Sequence, residues 1–313
     1  MKKLLSAFTV LALTAGAALA ADLPSRKGPP VLPPPPPPPP MWTGFYVGLN
    51  AGGTWANSNQ QTIGVGPVAL GDYASTRDFS NDVAAFATVA SASGFNSGNN
   101  GGFIGGGQIG YNWQFYNSLV AGVEADIQGI AGTNGSRTVF SAAPGGYWGS
   151  NYDNNWYGVT SVRGSLDYLG TVRGRLGWLF TPTLLLYGTG GLAYGGVTLN
   201  TATQVWNGGY LGNYVAPSFG GVNYSNTQVG WTAGGGLEWM FWPNWSAKVE
   251  YLYYDLGSVT QGFALPVTYS SQNYSESSLF AGQVRARING NIVRAGLNYH
   301  FNWGAPAPVV AKY

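Results

Sequence analysis

The chain has 313 residues, 45% hydrophobic and 15% aromatic but only 8% charged, and it contains no cysteine. A soluble domain carries roughly 25% charged residues, and without cysteine no disulfide can stabilise an exported one. Fourteen basic and twelve acidic residues give a net charge of +2, which argues against binding nucleic acid through a basic surface.

Residues 1–20, MKKLLSAFTVLALTAGAALA, set Lys2 and Lys3 before an apolar run that closes on Ala18-Leu19-Ala20. That is the pattern of a secretory signal peptide, with cleavage expected before Ala21. Without Lys2 and Lys3 the rest of the chain balances, twelve basic against twelve acidic residues. After residue 20 no apolar stretch reaches the roughly 18 residues of a spanning helix. Two classes remain, a soluble all-β domain and a transmembrane β-barrel. Residues 21–41 form a proline-rich linker; Pro33 to Pro40 would make a rod of roughly 25 Å at about 3.1 Å per residue. It is expected to be a stiff periplasmic spacer, with docking to the cell wall or a protein as the alternative.

From residue 42 the pattern is period two, the mark of a strand with two unlike faces. In 42–55, Phe45, Val47, Leu49 and Ala51 share one face, and Gly44, Tyr46, Gly48 and Asn50 the other. Similar alternation occupies 102–116, 119–130, 168–180, 184–198, 228–242, 245–256 and 289–301. These eight segments each reach the roughly 9–11 residues a tilted membrane strand needs. Their connections alternate. Asn117-Ser118, Thr181-Pro182-Thr183 and Trp242-Pro243-Asn244 are tight turns, whereas 56–101, 131–167, 199–227 and 257–288 are long and rich in Asn, Ser, Gly and Thr.

The spacing predicts an all-β fold: an eight-stranded antiparallel transmembrane β-barrel with four long extracellular loops and short periplasmic turns. The barrel would span 42–303 and residues 304–313 would form a periplasmic tail. Trp42, Trp113, Phe115, Trp178, Phe180, Trp239, Phe241, Trp242, Trp245, Tyr299 and Phe301 all fall at strand ends on the periplasmic side, as expected of an interfacial aromatic girdle. Within the first long loop, 76–92 suits either a short helix or a hairpin extension.

WTGFYVGLNAG, the Ala-Asp-Leu-Pro start after the leader, LGTVRGRLGW, the run from Trp245 to Gly257 and the closing VRAGLNYHF carry a resemblance. Together they resemble the small outer-membrane β-barrel surface antigens of the alphaproteobacterial envelope, similar in architecture to the OmpA membrane domain and opacity-type proteins. The resemblance implies a barrel without catalytic residues, exposed as a surface antigen and tied to envelope integrity or host contact. Two departures stand out, the length of the proline run and the WGAPAPVVAKY that follows the last strand. The alternation through Val293, Ala295, Leu297, Tyr299 and Phe301 suggests an internal signal for the barrel-assembly machinery.

Opposite the apolar faces stand Glu124, Asp126, Arg173, Arg175, Glu238, Lys248, Glu250 and Arg294, four acids and four bases. Side chains can fill an eight-stranded lumen, and pairing makes buried charges tolerable, so a lumen network is expected. Glu124 and Asp126 should face Arg173 and Arg175, with Val123 and Ala125 toward lipid. A glycosidase dyad needs carboxyls roughly 5–9.5 Å apart around an open sugar site, but nearby arginines would hold both acids ionised. With one His and no Cys, neither a metal nor another cofactor is expected. His300 should be a hydrogen-bonded lumen residue rather than part of a lipid-modifying enzyme, whose work would lie at the other end. In the loops, Tyr147, Trp148, Tyr152, Trp156, Tyr157, Trp206 and Tyr210 mix rigid rings with small polar residues, as adaptable binding surfaces do. They are candidates for a host or environmental ligand, against the alternative that they pack the loops together. Other expected partners are outer-membrane lipid and lipopolysaccharide. The chain is expected to be a monomer in the bacterial outer membrane, with a narrow porin as the alternative function.

Overall fold

The computed structural model describes residues 41–57, 60–71, 80–96, 101–116, 118–133, 135–145, 155–208, 213–271 and 275–301. The leader, nearly all of the linker and the C-terminal tail lie outside them. In chain order the elements are β1 (Gly44–Ala56), β2 (Gln60–Ala69), α1 (Ser80–Ala90), β3 (Ala92–Asn96), β4 (Gly102–Phe115), β5 (Leu119–Ala131) and β6 (Gly135–Pro144). β7 (Asn155–Thr181), β8 (Leu184–Asn207), β9 (Asn213–Val215), β10 (Ser218–Trp242), β11 (Trp245–Ser271) and β12 (Ser275–Phe301) follow.

Eight of these strands close a ring in the order β12-β1-β4-β5-β7-β8-β10-β11, and β11 pairs back onto β12. Every ladder is antiparallel, which two-residue links permit: Pro182-Thr183 joins β7 to β8 and Pro243-Asn244 joins β10 to β11. Closure leaves no unpaired edge in the membrane, where an unsatisfied backbone group would cost several kcal/mol. Outward from the wall point Leu49, Ile109, Ile127, Leu176, Leu192 and Val249, all exposed. In water such a band would be a large apolar patch; against acyl chains it is the expected surface.

Aromatic rings border the band at both ends. The periplasmic girdle holds Trp113, Phe115, Trp178, Phe180, Trp239, Trp242 and Trp245, all facing outward. A second girdle at the outer end is formed by Trp55, Phe103, Trp231 and Tyr251, all facing outward. Trp42 departs from the expected girdle: it is 0% exposed and turns into the lumen. There its Nε1 donates to the Pro182 carbonyl at 2.9 Å, and it packs in a cluster with Val120, Leu179, Leu185, Tyr187 and Met240. Trp42 therefore corks the periplasmic end of the lumen.

The long connections also differ from expectation. Much of 131–167, 199–227 and 257–288 continues as strand, so β7, β8, β10, β11 and β12 rise well past the outer girdle. In this extension the polarity is inverted. Trp156, Val162, Leu199, Val205, Leu265, Val267, Phe280 and Val284 point inward and form an apolar core, because here water rather than lipid surrounds the wall. β6 pairs with β7 on one flank and β2 with β12 on the other, and the helix lies between them. Ser91 Oγ accepts from Val65 N at 2.9 Å, and Ser141 Oγ donates to the Val89 carbonyl at 2.7 Å.

Segment 80–90 is therefore a helix rather than a hairpin. Asp82, Ala85, Phe86, Val89 and Ala90 are its buried positions, the i, i+3, i+4, i+7, i+8 stripe of a helix with one packed face. Phe86 lies against Phe280 with ring centroids 4.2 Å apart and planes tilted by 38°, and meets Trp156 edge-on at 5.4 Å. The alanines keep the helix thin enough to sit among the strands. No helix among the described residues is long and apolar enough to cross a membrane.

Candidate functional site

The lumen-facing charges come together at one level of the barrel. Cross-strand register explains how long side chains fit there: Glu124 stands opposite Gly110, Arg173 opposite Gly191, Arg175 opposite Gly122, Glu250 opposite Gly236, Lys248 opposite Gly296 and Arg294 opposite Gly52. Arg175, Lys248 and Arg294 lie over the glycines opposite them, while Tyr46 and Tyr187 fill the space over Gly110 and Gly236. At Gly122 a Cβ would come 3.1 Å from Arg175 Cγ, and at Gly52 it would come 2.8 Å from Arg294 Cβ and 2.1 Å from the Val293 carbonyl oxygen. Sequence reasoning found the charges but missed the glycines that seat them.

Arg173 donates to Glu124 at 2.5 Å, to Asp126 at 2.8 Å and to Glu250 at 2.9 Å. Arg294 holds Glu250 at 2.6 Å and Asp126 at 2.9 Å. Lys248 donates to both oxygens of Glu124, at 2.8 and 2.9 Å. β5 and β11 stand opposite each other in the ring, so the Lys248–Glu124 pair spans the full width of the lumen. Tyr46 donates to Glu124 at 2.6 Å, Thr171 to Asp126 at 2.8 Å and Tyr187 to Glu250 at 3.1 Å. All eight charged side chains are buried. Burial of ions is tolerable only with such pairing and hydrogen bonding.

The register expectation needs one correction. Glu124 does stand opposite Arg173, but Asp126 stands opposite Thr171, and Arg175 lies beside Gly122. Arg173 therefore serves both acids, while Arg175 turns away from Asp126 to hold Glu238 at 2.6 Å and lies 4.0 Å over the Tyr187 ring.

His300 lies in the lumen near the periplasmic end, with Nε2 2.9 Å from Ser246 Oγ, which in turn lies 2.5 Å from Glu238. Ser, His and Glu thus meet, but in the wrong order for nucleophilic catalysis. An ionised carboxylate only accepts, and a hydroxyl has one proton to give, so with Glu238 ionised the Ser246 proton goes to it and His300 must donate to Ser246. A serine nucleophile needs the opposite arrangement, with the imidazole accepting its proton. All three side chains are also buried.

The aromatic candidates divide. Tyr147, Trp148, Tyr152 and Tyr210 lie outside the described residues. Trp156 is no surface ring: it is 1% exposed in the extension core, and its Nε1 donates to Asp82 at 3.0 Å. Tyr157 and Trp206 face outward, stacked at 5.9 Å with planes 25° apart. Phe140, unnoticed in the sequence, joins them at 6.0 and 6.2 Å. Its position on β6 directly opposite Val159 of β7 brings it beside Tyr157, a pairing visible only once the segment is known to be a strand.

The model for the family described as outer membrane protein beta-barrel domain matches residues 8–301. The 31 kDa outer-membrane immunogenic proteins of Brucella melitensis and Brucella suis are each 32% identical over 300 residues, covering 94% of this chain and 97% of theirs. A 22 kDa outer membrane protein of Rhizobium leguminosarum is 30% identical over 179 residues, 56% of this chain and 64% of its own length. Among solved structures, OprG of Pseudomonas aeruginosa shares 10% identity at a TM-score of 0.32, covering 83% of this chain and 97% of its own; a likeness that loose adds nothing to the ring of strands itself. With a barrel that closes in an apolar band between two girdles and a family match along nearly its whole length, the chain belongs to the outer membrane protein beta-barrel domain family and resides in the outer membrane.

Proposed function

We propose that this protein is a closed, non-conducting, non-enzymatic barrel that supports the envelope mechanically and carries an interaction surface above the membrane. The observation that carries the first half is the Lys248–Glu124 contact at 2.8 Å between strands on opposite sides of the ring. Side chains that meet across the full lumen obstruct a water path along the barrel axis. Apolar clusters lie on either side, one toward the periplasm around Trp42 and one toward the outside around Leu169, Leu252 and Ile292. The outward face made by exposed Phe140 and half-buried Tyr157 and Trp206 supports the second half. It stands on the outer wall above the girdle, where the surroundings are the sugars of lipopolysaccharide, and rigid rings beside the outward Gln204 suit sugar faces. The Brucella relatives are named immunogenic, which fits a chain whose extension reaches beyond the lipid. Conductance of the purified full chain in a planar bilayer is the test. The expected record is flat; discrete, stable openings on the nanosiemens scale would replace this reading with that of a narrow porin.

A further inference from the structure

Just above the outer girdle the barrel wall changes partners on two sides. β7 pairs with β5 as far as Tyr168 and with β6 from Gly164 onward; β12 pairs with β1 as far as Gly290 and with β2 from Ala286 onward. Between these switch points lies a cavity of about 80 Å³, bounded on one side by Gly164 and Leu166 and on the other by Arg287 and Asn289. A single water needs about 10–15 Å³ in such a measure, so there is room for one small organic molecule. Leu166, Val197, Val259 and Tyr254 make most of its lining apolar, and Thr133 and Thr198 add hydroxyls.

Gln61 reaches into this space. The residue is 5% exposed, its Oε1 meets no donor among the described residues, and its Nε2 stands 3.4 Å from where a Cβ on Gly164 would lie. Buried polar atoms are nearly always satisfied, so the cavity presents one acceptor that wants a donor. It offers an ionic ligand little: Arg287 at the rim, its side chain 58% exposed, is already paired with Asp255 at 2.6 Å. An acceptor above a mostly apolar lining, at headgroup level, selects a molecule with one hydroxyl on an apolar body.

We propose that this cleft is a binding site for a small uncharged amphiphile, an alcohol or phenol in chemical class, with its hydroxyl donating to Gln61 Oε1 and its body against Leu166, Val197 and Tyr254. Phenol and toluene are the probes, titrated into the detergent-solubilised full chain and followed by ligand-observed NMR. Wild type should bind phenol saturably in the millimolar range. Gly164→Leu fills the cavity and should abolish the saturable part while leaving partition into micelles unchanged. Gln61→Leu should weaken phenol about three- to tenfold, the size of one net hydrogen bond, and leave toluene unaffected. Far-UV circular dichroism and the mobility shift on heating in SDS check that both variants fold; if Gly164→Leu does not, the phenol–toluene contrast in Gln61→Leu decides. Phenol binding that is non-saturable in wild type, equal in Gly164→Leu, or unchanged in Gln61→Leu would overturn the assignment and leave a cavity that holds water only.

Discussion

Replacing Glu124 by Gln keeps the shape of the side chain and removes only its charge, so the change isolates electrostatics from packing. Glu124 accepts from Tyr46, Arg173 and Lys248, which belong to three different strands. An amide NH₂ in its place would point a donor at these donors. The Tyr46 oxygen offers little relief, because Arg175 already donates to it at 3.1 Å. The balanced cluster would be left with one uncompensated positive charge in a buried layer. Breaking a buried pair this way costs about 3–5 kcal/mol, a large fraction of a total stability of about 5–15 kcal/mol. Urea unfolding in lipid vesicles, followed by tryptophan fluorescence, reads the change. With a slope of roughly 2 kcal/mol per molar, the midpoint should fall by about 2 M. Lys248→Met alone should be comparably harmful, and the double variant, which restores the balance, should be better than the sum of the two by about 0.5–3 kcal/mol. A loss of 1 kcal/mol or less for Glu124→Gln, the range of about 0–1 kcal/mol found for solvated surface pairs, would mean that water fills the lumen, and the closed-barrel reasoning would fail.

Three further outcomes follow from the same geometry. Trp42→Ala removes the periplasmic cork and should cost about 3–5 kcal/mol, yet planar bilayers should show no new conductance, since the charge layer above it is intact. Phe86→Ala empties the centre of the extension core; the helix should become open to added protease on whole cells, while resistance of the membrane barrel to SDS at room temperature is retained. Tyr157→Ala with Trp206→Ala should weaken binding of lipopolysaccharide core oligosaccharide to the detergent-solubilised protein about three- to tenfold, from loss of about 0.5–1.5 kcal/mol of ring contact, with the unfolding midpoint unchanged; equal binding would remove this face from the proposed role.

The membrane part was legible because lipid outside and a filled lumen inside impose opposite demands on alternate residues. AGVEADIQG shows this directly, with Val123 and Ile127 exposed to lipid and Glu124 and Asp126 buried inside. The extension was less legible, because the polarity of the wall changes where the membrane ends. Outside the membrane the alternation inverts, so strands that should be apolar outward become apolar inward. In two strands the phase also slips where this happens, by β-bulges at Leu166/Tyr168 of β7 and at Asp255/Ser258 of β11, the latter with Gly257 at φ +82°. A one-residue insertion flips every later side chain to the other face. In β11 the inward set passes from Lys248, Glu250, Leu252 and Tyr254 to Val259, Phe263, Leu265 and Val267. In these two strands the inversion and the slip cancel in the sequence, where Val249, Tyr251, Val259, Phe263, Leu265 and Val267 of β11 all stand at odd positions, and the wealth of Asn, Ser, Gly and Thr is what makes the stretch look like loop.

The same inversion explains why the charges occupy only one layer. A lumen lined throughout by polar residues would need water to satisfy it, and the wall would then surround a channel. Here the charges of the membrane strands converge on one balanced cluster, flanked by buried amides such as Asn50, Gln108 and Asn298, and small residues opposite the long side chains let that cluster close on itself. Apolar residues can then fill the lumen on both sides of it. Above the girdle the surroundings become aqueous, an apolar interior becomes the stable choice, and α1 can pack inside it. The bulges are therefore part of the mechanism of closure. They turn Leu166 inward, next to Leu169, and Val259 inward above Tyr254, so the hydrophobic core begins where the charge layer ends. Deleting one residue at the Asp255/Ser258 bulge would carry the phase of the membrane strand into the extension and turn Phe263, Leu265 and Val267 out to water. The barrel below would keep its register, so the resulting failure should appear as aggregation or proteolysis of the extension and not as loss of the membrane-embedded ring.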